Sequence, residues 1–260
     1  AQLTALAAVA DVEAATRLLE LAQRRLASTL TAFELMSAFC LELVERAYPH
    51  CPNPLAGAGE YFVLLECSDA EGEEHATRLF EGLLAEAIDA GLVADAVVAD
   101  SIARSRALWA LRENISEAQA AIGKNIKHDI SVPISSIARF IESTNAELLR
   151  RFPDIRMVVF GHLGDGNLHY NVSPATDHAD EAAQDAFLAR QPEINRITHD
   201  AVAAFDGSIS AEHGLGVLRR DEAARYKSPV EIELMWRIKR ALDPGGIMNP
   251  GKVLAPPAAS

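Results

Sequence analysis

Cysteine is scarce in these 260 residues: Cys40, Cys51 and Cys67 are odd in number and form no CxxC pair. That excludes a disulfide framework and a Cys-ligated zinc ribbon, and a reducing compartment is the simpler expectation. Basic charge is also short, 24 Lys+Arg against 37 Asp+Glu, or 24 − 37 = −13, with the acidic excess scattered along the chain. Nucleic acid and anionic membrane surfaces, which want a basic patch, are therefore not expected as partners. No apolar run reaches the roughly 18 residues of a membrane helix, and no basic segment followed by an apolar one opens the chain. A cytoplasmic location is expected. No glycine-rich fingerprint stands between a strand and a helix, so a dinucleotide-phosphate loop is missing. Low complexity is confined to Ala255–Ser260, where disorder is expected, and the missing initiator Met reads as a chain cut from something longer.

What is present is ordinary globular material: 49% hydrophobic and 23% charged residues, enough for one to two domains. Alternation predicts strands at Leu3–Val9, Leu30–Leu35, Tyr61–Ser68, Asp95–Ala99, Ile126–Val132, Ile155–Phe160 and Leu168–Ser173. Helical periodicity falls between them, at Asp11–Ala27, Met36–Ala47, Glu73–Ala90, Ser101–Ile122 and Ile134–Arg151. After about Asp180 the strands stop, leaving a helix at Asp180–Asp206 bent near Pro192, a glycine-bearing turn and a helix at Pro229–Leu242. The expected fold class is α+β, a mainly antiparallel sheet with helices on one face over residues 1–179, then a small helical subdomain over 180–260. Pro49–Gly59 reads as a surface connector.

The chemistry concentrates in GHLGDGNLHYNV, residues 161 to 172. A two-residue Asp165-Gly166 hairpin turn sets His162 opposite His169, with Asn171 on the same face. Opposed residues have Cβ atoms about 4.5–5.5 Å apart, close enough for both imidazoles to reach one metal ion. Two ligands leave a site incomplete, and the stretch SAEHGLG at 210 to 216 offers the carboxylate of Glu212 and a further histidine, His213. A His/His/Glu set with an open position suits Lewis-acid chemistry, with His213 free to act as a base. A fourth protein ligand would instead make the site structural, a staple between hairpin and C-terminal helices; hydrolysis by an activated water is a third reading. For anions, Arg112 and Ser116 are four apart on one predicted helix, and Lys127 alternates with Asp129 and Ser131 in KHDISVP. The plain alternative there is solvated charge pairing, Arg112 with Glu113 and Lys127 with Asp129. His50, His75, His128, His178 and His199 stand in no constellation and read as structural or surface residues.

GHLGDGNLH, SAEHGLG and IKRALDPGGIMNPGK, in that order near the C-terminus, together with LWxxRE and KxDISVP upstream, resemble the FAD-linked oxidases of the vanillyl-alcohol oxidase superfamily. The resemblance covers essentially the whole chain and is to the C-terminal substrate, or cap, half of the branch that holds D-2-hydroxyglutarate dehydrogenase, D-lactate dehydrogenase and the glycolate oxidase flavin subunit. It implies a ferredoxin-like cap that oxidises a D-2-hydroxy acid, 2-hydroxyglutarate or lactate foremost, by hydride transfer to FAD. His162, His169 and Glu212 would ligate a divalent metal, zinc or in some relatives manganese. Arg112 and Lys127 would hold the substrate carboxylate, Ser116 would stand where dicarboxylate-oxidising relatives tend to have threonine, Asn171 would contact substrate or metal-bound oxygen, and His213 would be the base. Asn249 and Gly251 would sit near the flavin, which is held mainly by an N-terminal domain absent from these residues. The electron acceptor would be a quinone, an electron-transfer flavoprotein or a cytochrome, through which the enzyme could touch a membrane peripherally; a homodimer is compatible with the resemblance. The Glu-His pair in SAEHGLG separates the chain from the ether-lipid synthases, where a histidine run replaces it.

Overall fold

The computed structural model describes residues 1–178 and 180–255. The disorder expected of the tail thus falls mostly on residues that lie outside the described ones. Strands β1 (Gln2–Val9), β2 (Leu30–Ser37), β3 (Tyr61–Ser68), β4 (Asp95–Val98), β5 (Asp129–Ser131), β6 (Ile155–His162) and β7 (Asn167–Pro174) form one sheet in the order β4-β1-β3-β2-β6-β7-β5. Every pairing is antiparallel. Each predicted strand is found, the shortest being β5, where Ile126 makes only an isolated bridge to Val172.

The helices are α1 (Val12–Leu26), α2 (Ala38–Ala47), α3 (Glu73–Asp89), α4 (Ile102–Glu113), α5 (Ile115–Ala121), α6 (Ile137–Arg151), α7 (Glu181–Leu188), α8 (Gln191–Ala204), α9 (Arg220–Tyr226) and α10 (Pro229–Leu242). Helix α1 starts where Asp11 accepts the Ala14 N–H at 2.7 Å, and Arg24 and Arg25 sit favourably in its last turn. Two expected long helices are divided. The Ser101–Ile122 stretch breaks at Asn114, so Arg112 lies in the last turn of α4 while Ser116 belongs to α5. The Asp180–Asp206 stretch is two helices rather than one bent helix, because Pro192 occupies the first turn of α8, the place where a missing N–H removes no helical bond.

The layering is fuller than a sheet with one helical face. Leu18 and Leu19 of α1, Phe80 of α3, Phe140 of α6 and Ile194 of α8 pack with Ala5, Ala7 and Val9 of β1 on one face. Leu6 and Ala8, pointing the other way, pack with Leu41 and Val44 of α2, Leu108 and Leu111 of α4 and Ile115 of α5. Both faces of β1 and β3 are buried, which is why these strands read as nearly continuous apolar runs. Phe187, Ile194, Val202 and Ile209 join the first cluster, so the helical segment after the sheet shares its core. The second face is apolar towards β1 and β3 and turns polar where α4 and the Ile209–His213 loop approach β2, β6, β7 and β5.

Candidate active site

The hairpin β6-β7 does not have the expected two-residue turn. A short 3-10 turn, Leu163–Asp165, and Gly166 at φ 81° link the strands, and His169 pairs with Phe160 rather than with His162. The turn is this wide because it packs against β5: Gly166 accepts the Val132 N–H at 3.1 Å, and a Cβ at Gly166 would lie 2.3 Å from the Val132 carbonyl oxygen. The register moves by two residues, an even number, so His162 and His169 keep a common face but lie diagonally across it. Asn171, two further along, pairs with Val158 on that face.

Neighbouring strands supply what the hairpin alone does not. Glu34 of β2 pairs with His162 of β6, and its carboxylate, almost fully buried, accepts from His162 Nδ1 at 2.5 Å and from Arg112 Nε at 2.8 Å. The Arg112 guanidinium lies over the Phe160 ring, 4.9 Å from its centroid. Beyond His162, its Nε2 lies 3.3 Å from Glu212 Oε1, which also accepts from Asn167 Nδ2 at 2.5 Å. His169 stacks between Phe160 and His213, ring centroids 4.7 and 5.8 Å away. Burial, with Arg112 next in weight, pushes the His169 pKa below the ordinary histidine value, favouring the neutral form that a metal ligand requires.

Asp129 of β5, cross-strand partner of His169, is the second buried carboxylate. Its Oδ2 accepts the consecutive backbone N–H groups of Ala211, Glu212 and His213 at 3.3, 3.0 and 2.8 Å, and lies 3.5 Å from His213 Nδ1. Its Oδ1 is buried without a hydrogen-bond partner. One donor atom each from Asp129, Glu212 and His213 falls within 4.8 Å of the others, a grouping that could hold a metal ion.

The remaining expected residues are distributed unevenly. Lys127 is exposed at the start of the β5 segment, its carbonyl accepting from Arg219 Nη2 at 2.8 Å. Ser116 is exposed on α5, the helix that follows that of Arg112 across the break at Asn114. Asn171 is buried and engaged at both ends of its amide, accepting the His128 N–H at 3.2 Å and donating to Gln119 at 2.9 Å. Asn249 and Gly251 lie in the closing segment with φ of 46° and 71°, and Gly251 is tied down by Arg220 donating to its carbonyl at 2.9 Å. His128 and His199, read from sequence as isolated, form a buried pair with ring centroids 5.5 Å apart. His199 Nε2 accepts from Arg219 Nη1 (3.2 Å) and its Nδ1 faces Glu222 (3.1 Å), and Arg219 in turn donates to the carbonyls of Ile209 and Lys127. The pair therefore braces the loop that presents Glu212 and His213. Glu34 and Asn167 were not anticipated; the one local signal for Glu34 is an acidic residue set in the apolar strand LTAFELMS.

Of the expected set His162, His169 and Glu212, only His162 Nε2 and Glu212 Oε1 approach one another, at 3.3 Å; among the described residues the three-residue donor group is Asp129, Glu212 and His213, a mixed oxygen and nitrogen set of the kind a divalent transition ion accepts. His162 has Nδ1 occupied by a carboxylate and Nε2 turned to Glu212, the usual outer-shell arrangement of a ligating histidine. Among the described residues no helix is long and apolar enough to cross a membrane.

Comparison with known proteins gives the same picture as the motifs. A D-2-hydroxyglutarate dehydrogenase of Stutzerimonas stutzeri (strain A1501) is 37% identical over 228 residues, covering 87% of this chain and 47% of that protein. A probable mitochondrial D-2-hydroxyglutarate dehydrogenase of Oryza sativa subsp. indica is 36% identical over 246 residues, covering 94% of this chain and 42% of that protein. The chain thus spans less than half the length of these relatives. The solved structure of p-cresol methylhydroxylase with substrate bound superposes with a TM-score of 0.67 over 98% of this chain and 53% of that one, at 13% identity, and so shares the fold. With residues 1–253 matching the model for FAD linked oxidases, C-terminal domain, the chain belongs to that family.

Proposed function

We propose that this chain is the substrate- and metal-binding half of an FAD-dependent D-2-hydroxy acid dehydrogenase that oxidises the alcohol to a 2-oxo acid. The observation that carries the reading is that Arg112, an anion-binding group, and His162 share the Glu34 carboxylate, while His162 reaches Glu212 and His169 stacks on His213. Arg112 uses Nε on Glu34, which leaves its terminal nitrogens for a bidentate carboxylate, and Lys127 adds a point charge. His162, His169 and Glu212 hold the divalent ion, with zinc the metal suited to this mixed nitrogen and oxygen set. When bound, that metal supplies Lewis acidity at the alcohol oxygen, and FAD supplies the hydride acceptor. His213, steadied by Asp129, takes the hydroxyl proton. Ser116 offers a hydroxyl for a second carboxylate, which favours 2-hydroxyglutarate over lactate, and Asn171 serves by fixing the backbone at His128 beside Lys127. Asn249 and Gly251 face the flavin, and the apolar residues left exposed on α10 receive the FAD-binding portion that the longer relatives have room for.

The test is expression with and without that portion. FAD binding and dye-coupled oxidation of D-2-hydroxyglutarate are expected only with it, together with one equivalent of a transition metal that is lost in His162→Ala and His169→Ala. A flavin-containing protein inactive on every 2-hydroxy acid would defeat the substrate assignment. A second reading follows from the proximity of Asp129, Glu212 and His213: His213 as a further ligand, closing the site into a structural one. Metal retained in His213→Ala with turnover abolished supports the base; metal lost supports the closed site.

A further inference from the structure

The unanticipated carboxylate of Glu34 touches both halves of the site. Its Oε2 accepts from Arg112 Nε and its Oε1 from His162 Nδ1, while its side chain is 4% exposed in the interior of the sheet. We propose that Glu34 is a positioning residue that couples the anion subsite to the metal subsite, by holding His162 in the tautomer whose Nε2 lone pair faces Glu212. This rests on the proposed function above, in which His162 ligates the metal.

The argument is one of donors and acceptors. Arg112 has only donors, so whatever stands at position 34 must show it an acceptor. A neutral imidazole carries one N–H and one lone pair, and its tautomer follows the hydrogen bond made at the other nitrogen. A carboxylate, with two acceptor oxygens, satisfies Arg112 with one and fixes the proton on His162 Nδ1 with the other. Nε2 is then left as a lone pair turned towards Glu212 Oε1, 3.3 Å away. No neutral side chain of the same shape does both. In Glu34→Gln the amide oxygen must go to Arg112, so the NH2 group faces His162, Nδ1 becomes the acceptor, and the proton moves to Nε2, where it blocks ligation. The anion subsite would keep its geometry while the metal subsite lost a ligand.

The coupling predicts a reversal. Once Arg112 is replaced by Met, the demand for an acceptor disappears, and the amide introduced by Glu34→Gln is free to turn its oxygen to His162. The experiment measures zinc affinity by chelator competition in the full FAD-loaded protein for wild type, Glu34→Gln, Arg112→Met and the double variant. Histidine-labelled samples, stripped of metal, report the His162 tautomer by nitrogen NMR. Glu34→Gln is expected to weaken zinc by about 10- to 100-fold, the usual effect of losing an outer-shell partner, to move the His162 proton from Nδ1 to Nε2, and to lower kcat with little change in KM. The double variant is expected to recover most of the zinc affinity and the Nδ1–H tautomer. Should Glu34→Gln not fold, the double variant, which has no buried charge pair, decides: affinity equal to that of Arg112→Met supports the proposal. Zinc affinity unchanged in Glu34→Gln, a double variant that does not recover, or KM rising while zinc binding holds would each overturn it. A wild-type protein that takes up no zinc overturns the metal reading and this inference together, whereas tight wild-type binding with an indifferent Glu34 overturns this inference alone.

Discussion

Helices α1 and α10 are near equals in length and both amphipathic, α1 the more strongly, yet α1 buries eight side chains and α10 none. The first lies on a sheet of its own chain, with Leu18 and Leu19 fully enclosed. The second leaves Val230, Leu234, Ile238 and Leu242 between 51% and 76% exposed, with Leu218 and Ile247 near them in sequence still more open. The two regions differ in how much apolar surface they bury within the chain. Up to Ile209 most apolar residues find one another within the chain; from Glu212 onwards Leu215 and Tyr226 still touch that core and Ala223 is buried, but the segment is otherwise held by polar ties, Arg219 to the Ile209 carbonyl, Arg220 to Gly251 and Asp243 to the N–H groups of Ile247 and Met248. The exposed apolar row on α10 is the surface proposed above to receive the FAD-binding portion, the relatives being about twice as long as this chain.

Predictions that would break this contrast begin at the buried charge pair. Arg112→Ala leaves the buried Glu34 carboxylate without its guanidinium, with only His162 Nδ1 still donating to it, and is expected to cost about 3–5 kcal/mol in denaturant unfolding besides raising KM in the FAD-loaded protein. A raised KM without any stability loss would mean that Glu34 reaches water. Next is Leu18→Ala on α1, expected to lower stability by about 3 kcal/mol, read as a lower denaturation midpoint at unchanged slope.

The braced histidine pair gives an intermediate effect with a defined sign. Burial, with His199 next in weight, lowers the His128 pKa from 6.5 to about 3. Below 6.5 the unfolded chain takes a proton there that the folded protein refuses, so His128 favours folding fully above that pH and progressively less as the pH falls towards about 3. Denaturation midpoints across that window should fall with acidity, and less steeply in His128→Gln. The smallest effect is expected on α10: Leu242→Ala should shift the stability of this chain by no more than about 0.5 kcal/mol. A loss as large as that of Leu18→Ala would show that α10 packs within the chain after all.

The strands were legible because alternation is written locally, and the helix at Pro229–Leu242 because Ser228 and Glu231 spell a capping box. The common face of His162 and His169 was legible too, since parity survives an even register change. The opposition of the two histidines was not, because the turn is shaped by Val132 of another strand. Nor was the break at Asn114, which a continuous helical period conceals.

Local pattern thus determined the strands, most helices and the residue types that gather at the site, and the three C-terminal motifs determined the family. Only the tertiary structure decided that Glu34 stands beside both His162 and Arg112, 128 and 78 residues away in sequence, and that Asp129 gathers the N–H groups of a loop more than 80 residues on. A buried carboxylate's partners are fixed by which strands are neighbours in the sheet, and strand order is a property of the whole packed chain that no single window of sequence carries.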